Sequence, residues 1–407
     1  MRRVVVTGMA GITSLGDAWP AIEANLRAGR TGIRRMADWE RFGDLNTRLG
    51  APVEDFSVPA HYPRRMVRSM GRVALLSVRA SEMALADAGL LDDPMIHDGR
   101  MGIAYGSSAG SMDPLRAFAR MLETGSMLDV TSTSYIQMMS HTSAVNIGLF
   151  FGLTGRVIPT SSACTSGSQA IGYAYEAIRF GRQDMMLAGG AEELSALDAA
   201  VFDTLFATSS KNDTPECTPR PFDAARDGLV VGEGAATLIL EEREHALARG
   251  ATIFAEIVGF ACNSDGAHIT QPEAATMATA MRLALKDAGL PPSAIGYVNA
   301  HGTATDRGDI AESRATAEVL GPVALSSLKG HFGHTLGACG AIESWLSIEM
   351  MRHGWFAPTA NLENVDPNCA ELDYLTGAGR AMRVDYLMSN NFAFGGINTS
   401  LIFRRVE

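Results

Sequence analysis

The chain of 407 residues has only five cysteines, Cys164, Cys217, Cys262, Cys339 and Cys369. None forms a CxxC pair and the count is odd. That excludes a disulfide framework as the basis of the fold and suits reduced thiols in the cytoplasm. No uncharged apolar stretch is long enough to span a bilayer. The start, Met1-Arg2-Arg3-Val4-Val5-Val6-Thr7-Gly8, has the charged beginning of a signal peptide. Its apolar run stops after three residues, so it reads as a first strand. Positive charge is also short: the net charge is −11, which argues against general nucleic-acid binding. Phosphate loops are missing too. Gly189-Gly190 and Gly232-Glu233-Gly234 lack both the Gly-Lys-Ser/Thr ending and the Gly-x-Gly-x-x-Gly order, and read as tight backbone packing.

What is present is apolar residue, at 46%, and glycine, at 42 residues. These suit large buried cores with many tight turns. Strand-like and helix-like patterns alternate from end to end, so the fold class is α/β. Arg3 to Thr7 reads as a strand and Ala18 to Ala28 as a helix. A long-range repeat follows. Ala84-Leu85-Ala86-Asp87-Ala88-Gly89-Leu90 returns as Ala284-Leu285-Lys286-Asp287-Ala288-Gly289-Leu290. Each copy precedes a strand and a Gly-containing turn, Gly102 to Ser107 and Gly296 to Thr303. Ser161-Ser162-Ala163-Cys164 has a counterpart in Ser326-Ser327-Leu328-Lys329. A period this long is a duplication, not a solenoid. The join near Arg249-Gly250 gives two related halves, residues 1–250 and 251–407, with a site between them to which both contribute.

The stretch Ser161 to Ala170 is where chemistry is most expected. A strand-like segment, Leu153 to Ile158, precedes it, and helix-spaced Ala170, Ile171, Ala174 and Ile178 follow up to Gly181. Cys164 then sits where a strand ends and a helix begins. Free N–H groups and the helix dipole lower a thiol pKa there. From this stretch alone, a nucleophile and a buried apolar filler are both open.

Three Gly-rich stretches in the second half carry further functional residue types. They are Asn299-Ala300-His301-Gly302-Thr303-Ala304-Thr305-Asp306, Lys329-Gly330-His331-Phe332-Gly333-His334, and Asn390-Asn391-Phe392-Ala393-Phe394-Gly395-Gly396. Each follows strand-like sequence, so backbone N–H groups can face a ligand. A lone His is more often structural. His331 and His334 with Cys339 make a weak metal signal, since no further ligand pair completes a set. A Cys with two His residues can run acyl chemistry with no metal or organic cofactor: the thiolate holds an acyl group, and imidazoles donate to an enolate or move protons. Arg64, Arg65, Arg68 and Arg72 form a like-charge cluster. It is either a solvated helix face or a dock for an acidic partner.

On these motifs the whole chain resembles the elongating β-ketoacyl-acyl-carrier-protein synthases, condensing enzymes of the thiolase superfamily. Ala163-Cys164-Thr165-Ser166-Gly167, Asn299 to Thr303, Lys329 to His334, Gly337-Ala338-Cys339-Gly340-Ala341 and Phe394-Gly395-Gly396 carry the resemblance. Arg220-Pro221-Phe222-Asp223 and Arg226-Asp227-Gly228 add to it. The resemblance implies a five-layer αβαβα sandwich, usually a homodimer, or here a heterodimer with a paralogous ketosynthase. It implies a decarboxylating Claisen condensation, without cofactor, on acyl- and malonyl-loaded acyl carrier protein. Cys164 is then the nucleophile, and His301 and His334 assist decarboxylation and stabilise the enolate. The N–H groups of Cys164 and Phe394 are the oxyanion hole, Lys329 and Glu312 an ordering ion pair, and Glu343 a second supporting carboxylate. Phe392 and Phe394 are gating aromatics. Thr270, Thr303 and Thr305 contact the pantetheine arm, and Ala109 bounds the acyl pocket. Arg64, Arg65 and Arg68, with Arg116 and Arg120, dock the carrier. Gly330-His331-Phe332, Asp306 and Ile397 depart from the usual pattern, pointing to a specialised polyene or polyketide substrate. The competing readings are a non-catalytic chain-length subunit, a thioester hydrolase and a degradative thiolase. The last normally needs a second catalytic Cys near the C-terminus.

Overall fold

The computed structural model describes residues 1–406. Eleven strands form its main sheet: β1 Val4–Thr13, β2 Met101–Gly106, β3 Val157–Thr160, β4 Met185–Glu192, β5 Gly234–Glu242, β6 Ala255–Ser264, β7 Tyr297–Asn299, β8 Ala324–Ser326, β9 Asp373–Tyr374, β10 Tyr386–Ala393 and β11 Ile397–Arg405. Their order is 9-8-7-10-11-6-1-5-4-2-3. The link between β6 and β1 is short, covering Val4 to Val6 only. On one side of it the order is 1-5-4-2-3, and on the other 6-11-10-7-8 with β9 added at the edge. Pairings mirror as well. The β2 strand runs parallel to β3 and β4, as β7 does to β8 and β10. The β4–β5 and β5–β1 pairs are antiparallel, as are β10–β11 and β11–β6.

The helices are α1 Trp19–Arg27, α2 Arg64–Val67, α3 Arg72–Asp87, α4 Asp113–Thr124, α5 Ser134–Met138, α6 Thr142–Phe151, α7 Ser166–Arg179, α8 Ala196–Asp203, α9 Arg243–Ala248, α10 Ala274–Ala288, α11 Asp306–Leu320, α12 Lys329–Phe332 and α13 Cys339–His353. Helices α7 and α13 touch strands on both sides of the β6–β1 link, so they lie between the two half-sheets. Every residue from Cys339 to Met351 is buried. A helix with no solvent face belongs in the middle of a fold. Outside, α3 and α6 cover one half-sheet, and α10, backed by α11, covers the other. These are the five layers, α-β-α-β-α, that the resemblance implies. Among the described residues no helix is long and apolar enough to cross a membrane.

Two expected strands shift. The first does not stop at Thr7: β1 continues to Thr13, through a register irregularity between Val6 and Gly8. Its glycines hide this from sequence reading, yet Gly8 is needed because a Cβ there would meet the carbonyl of Ala84 on α3 at 2.4 Å. The strand expected from Leu153 begins instead at Val157. The backbone N–H of Leu153 is taken by Gly148 O, at the end of α6.

The Gly189-Gly190 pair does serve close packing. A Cβ on Gly190 would fall 2.4 Å from the carbonyl O of Gly337 and 3.0 Å from Cα of Gly167. This bare strand surface lets the starts of α7 and α13 sit directly on β4. Gly190→Ala therefore forces the backbone apart and is expected to cost about 1–3 kcal/mol by overpacking. Gly43→Ala, on an exposed loop where a Cβ meets nothing within 4 Å, stays within about 0.5 kcal/mol. Denaturant unfolding of both variants checks the contrast.

Candidate active site

Three turns at strand ends converge on one cavity of about 540 Å³. The first follows β3. Ser162 O accepts from the Thr165 hydroxyl, Ala163 O accepts from the Ser166 hydroxyl, and the Ser166 hydroxyl oxygen accepts from Ser162 N–H. The small hydroxylated residues thus close the turn on itself and present Cys164 at its apex. Ala163 is held at φ +51°, a left-handed conformation that a Cβ disfavours. Ala304, after His301, and Leu336, after His334, are also left-handed, at +64° and +45°. Non-glycine strain in all three turns is a mark of functional geometry.

The second turn joins β7 to α11. Glu312 on α11 reaches back and accepts the N–H groups of His301 and Gly302, both at 2.7 Å. Asp309 accepts those of Thr303, Ala304 and Phe222. The carboxylates of the helix therefore fix the turn that precedes it.

The third turn follows β8. Here the expected pairing changes. Lys329 makes its ion pair with Glu343 of α13, not with Glu312. Glu312 is committed to the backbone of the His301 turn and acts on Lys329 only through its field. Asn391 of β10 completes the cluster, donating from Nδ2 to the other Glu343 oxygen at 2.7 Å. Both members of the pair are buried. Burial is the largest single influence and works against the ammonium, but the charge and hydrogen bond of Glu343, with the fields of Cys339 and Glu312, together hold the Lys329 pKa above its usual value. His331 turns away and lies 3.2 Å from Arg30 O and 3.1 Å from Pro358 O. It ties this turn to two distant loops, and the HxxH spacing does not converge.

His334 Nε2 lies 3.0 Å from Cys164 Sγ. Its Nδ1 accepts the backbone N–H of Leu336 at 3.3 Å. A backbone N–H can only donate, so the proton of the neutral ring sits on Nε2. Asn391 Nδ2 lies 3.4 Å from His301 Nδ1. Its amide orientation is set by Glu343, which can only accept, so His301 carries its proton on Nε2 too. The rings stand edge-on, 5.1 Å apart. Burial first, and then the Lys329 charge, holds both imidazoles well below the usual histidine range. They are neutral N–H donors.

The thiol departs from expectation. The start of α7 was expected to produce a thiolate. Instead burial pushes Cys164 up to about 12, against the pull of Lys329 and of the Phe394 and Cys164 N–H groups. Desolvation by both halves outweighs the helix end. The resting sulfur is a thiol with those two N–H groups directed at it.

Donor atoms of Cys164, His301 and His334 lie within 4.8 Å of one another, as do those of His301, Cys339 and Glu343. Neither set fits a metal. A ligating Nε2 needs a proton on Nδ1 and an acceptor beyond it, whereas both Nδ1 atoms here face donors. The Lys329 ammonium adds a positive charge beside either set.

Phe392 and Phe394 line the cavity with Thr270, Thr303 and Thr305. The Thr303 and Thr305 hydroxyls bond each other at 2.8 Å, and Phe392 meets His301 edge-on at 6.2 Å. Ala109 is not in this lining among the described residues. It lies in the loop after β2, whose Ser108 carbonyl accepts from Ser161 Oγ at 3.4 Å. Arg64, Arg65 and Arg68 are exposed at α2, and none lies within ion-pair reach of an acidic side chain among the described residues. Arg120 is tied to Asp129 at 2.6 Å, and Arg116 lies 3.8 Å from Asp113.

Sequence reading missed three neighbours. Phe202 on α8 stacks on Phe394 at 5.2 Å and faces His334 at 6.4 Å. Asn391 orders His301 and Glu343. The Cys339 thiol donates to Cys164 O at 3.2 Å. Asn391 and Cys339 had local signals, their places in the Asn-Asn-Phe and Gly-Ala-Cys-Gly-Ala stretches, and Phe202 had none.

A buried thiol, paired neutral imidazoles and converging N–H groups define a thiol-based acyl transferase site. Comparison with known proteins agrees. The family described as "Beta-ketoacyl synthase, N-terminal domain" matches residues 1–246, and "Beta-ketoacyl synthase, C-terminal domain" matches residues 254–363. A 3-oxoacyl-[acyl-carrier-protein] synthase 2 of Synechocystis is 37% identical over 415 residues, covering 100% of this chain and 99% of the relative. A crystal structure of a β-ketoacyl synthase from Burkholderia phymatum has a TM-score of 0.99 and 67% identity, with both chains covered in full. The ishigamide ketosynthase/chain length factor reaches 0.91 at 32% identity, again over 100% of each chain. The chain belongs to the β-ketoacyl synthase family and is an acyl-transferring condensing enzyme.

Because the Lys329–Glu343 pair is buried, Glu343→Leu strands an ammonium and is expected to destabilise the fold by about 3–5 kcal/mol. The Glu343→Gln variant, which keeps a hydrogen-bond partner for Lys329, loses less. Chemical denaturation at pH 7 compares the two.

Proposed function

We propose that the protein condenses an acyl group held on Cys164 with a malonyl unit delivered by acyl carrier protein, releasing CO₂ and a β-ketoacyl-carrier protein. The observation that carries this is the meeting of Cys164 Sγ, two Nε2-protonated imidazoles and the Phe394 and Cys164 N–H groups in one cavity. A hydrolase needs one base for water; two neutral donors suit an enolate oxygen better.

The steps balance in protons. In loading, Cys164 attacks the acyl thioester, and the proton lost from its thiol leaves on the carrier's pantetheine sulfur. The thiolate formed in passing meets the His334 N–H and the Lys329 field. The tetrahedral oxyanion is held by the Cys164 and Phe394 N–H groups. In condensation the malonyl carboxylate leaves as CO₂, and the enolate oxygen accepts from His301 and His334. The carbanion carbon attacks acyl-S-Cys164, and the sulfur leaves as thiolate and takes up the one proton that the overall reaction draws from solvent. Phe392 and Phe394 flank the approach, and the Thr270, Thr303 and Thr305 hydroxyls are placed to meet the pantetheine arm. Glu312 and the Lys329–Glu343 pair position the turns. Ala109, which lies outside the lining of this cavity, is assigned to the acyl pocket by the resemblance alone, and a small residue there leaves space for a long or stiff chain.

Arg64, Arg65 and Arg68 form the carrier dock, with Arg116 and Arg120 secondary because acidic neighbours already engage them. The sheet ends at β3, whose outer edge has no partner strand, and Val157 is exposed there along with Leu149 and Tyr135. An open edge among exposed apolar side chains asks for a partner, which supports a dimer through β3. A second copy is the first reading. The likeness to a ketosynthase/chain length factor supports a paralogous partner as the second. Matching strand order supports the division into halves 1–250 and 251–407. The absence of disulfides among the described residues suits a cytoplasmic enzyme.

Intact-mass spectrometry with acyl- and then malonyl-carrier protein tests the reaction. The acyl mass gain is expected on wild type and absent in Cys164→Ala. His301→Ala loads normally and His334→Ala, which loses the donor to the sulfur, loads more slowly; both lose CO₂ release by roughly 10²–10³-fold, as when a preorganised donor is removed. A loaded acyl group that hydrolyses without CO₂ refutes condensation. For docking, Arg64→Glu with Arg68→Glu is expected to raise KM for carrier substrates about tenfold with kcat held, and the effect shrinks with salt. Arg120→Glu changes KM less than threefold. Steady-state kinetics at two ionic strengths measures both.

A further inference from the structure

Glu192, the last residue of β4, is 1% exposed and has no part in the chemistry above. All its hydrogen bonds meet on one oxygen. Oε2 accepts the Ser108 N–H at 2.8 Å, the Ser108 hydroxyl at 2.5 Å and the Gly337 N–H at 2.9 Å. The donors come from two separate parts of the site. Ser108 belongs to the loop after β2, beside Ala109, the residue proposed above to bound the acyl pocket. Gly337 follows His334 by three residues and is joined to it through Leu336, whose N–H holds His334 Nδ1. The two segments touch backbone to backbone: a Cβ on Gly337 would lie 2.6 Å from Ser108 N and 2.8 Å from Glu192 Oε2. The Ser108 carbonyl in turn accepts from Ser161 in the nucleophile's turn.

We infer that Glu192 is a positioning residue that couples the 106–110 loop, proposed above to bound the acyl pocket, to His334, so that an acyl chain pressing on that loop sets the donor that receives the malonyl enolate. The inference rests on the condensation reading above. Its physical basis is that one buried acceptor serves both loops, so displacing either one costs a hydrogen bond in the other. Leu336 sits at φ +45°, a conformation that persists only when neighbouring contacts hold it. The Gly337 bond is one of those contacts. Burial, then the charge of Asp198, raises Glu192 to about 8. Oε1, free of hydrogen-bond partners, is left to carry the proton. Gln then reproduces the neutral side chain and keeps an acceptor for all three donors.

The test uses the full chain and malonyl-carrier protein. The rate of CO₂ release is measured with Cys164 acylated and with it free, and intact mass reports acyl loading. The readout is the ratio of the two rates, which a loss of active protein does not move. Wild type is expected to show a ratio well above one. Glu192→Ala should still load but lose at least tenfold of that ratio, and Glu192→Gln should stay within threefold of wild type. Ser108→Ala, which removes one of the three bonds and is mild enough to fold where Glu192→Ala does not, should lower the ratio at least threefold. A wild-type ratio in Glu192→Ala or Ser108→Ala overturns the inference, as does a Glu192→Gln variant as uncoupled as Glu192→Ala. Wild-type enzyme that loads acyl groups yet releases no CO₂ in either state removes the condensation reading and this inference with it.

Discussion

The ion pair between Lys329 and Glu343 sets the electrostatics of the whole site. Burying two charges is expensive, and the cost is met only where geometry and hydrogen bonds are good. Asn391 supplies the missing bond to Glu343, and α13 brings the carboxylate in from the central layer. Once seated, the ammonium acts at a distance in a medium of low polarity. It adds to burial, the larger cause, in holding His301 and His334 uncharged, and it pulls on the Cys164 thiol against burial. The neutral imidazoles follow from burial first and this cation second, and the thiol follows from burial against the cation's pull.

The layers explain how such a cation comes to be buried at all. Cys164 opens α7 and Glu343 lies on α13, and both helices are enclosed between half-sheets. The approach of the two helix starts to β4 depends on Gly190, Gly167 and Gly337 meeting without side chains. Close packing shuts out water, which raises the thiol, lowers the imidazoles and strengthens every hydrogen bond across the cavity. The same exclusion supports strain. Ala163, Ala304 and Leu336 stay left-handed because each turn is tied down on both sides.

Much of this was legible in the residues. Cys164, His301 and His334 stand at strand ends in stretches of small residues, and the duplication of the helix ending at Gly89 and Gly289 foretold two matched half-sheets. Other features were not legible because they are set across the fold. The partner of Lys329 was misassigned to Glu312: both carboxylates are buried, and only the crossing of α13 with β10 decides which one faces the ammonium. The thiol's character was misread because a helix-end argument sees its own turn alone, while the desolvation comes from the other half. Ala109 and Glu192 show the same limit. Their neighbours, Ser108 and Gly337, are separated by more than two hundred residues yet share one carboxyl oxygen.

A protonated thiol at rest is not an obstacle to the chemistry. In the loading step proposed above one thioester is exchanged for another, so the proton that leaves Cys164 has a destination in the departing pantetheine sulfur, and no permanent base is needed. A standing thiolate at so buried a position would need a fixed counter-charge, and Lys329 is already paired with Glu343. Two neutral imidazoles avoid a second cost. An imidazolium would hold the malonyl carboxylate as tightly as the enolate and so stabilise the ground state along with the transition state. Neutral N–H donors gain most when charge moves from the carboxylate onto the thioester oxygen. The depressed histidine pKa values are therefore part of what directs the site toward loss of CO₂.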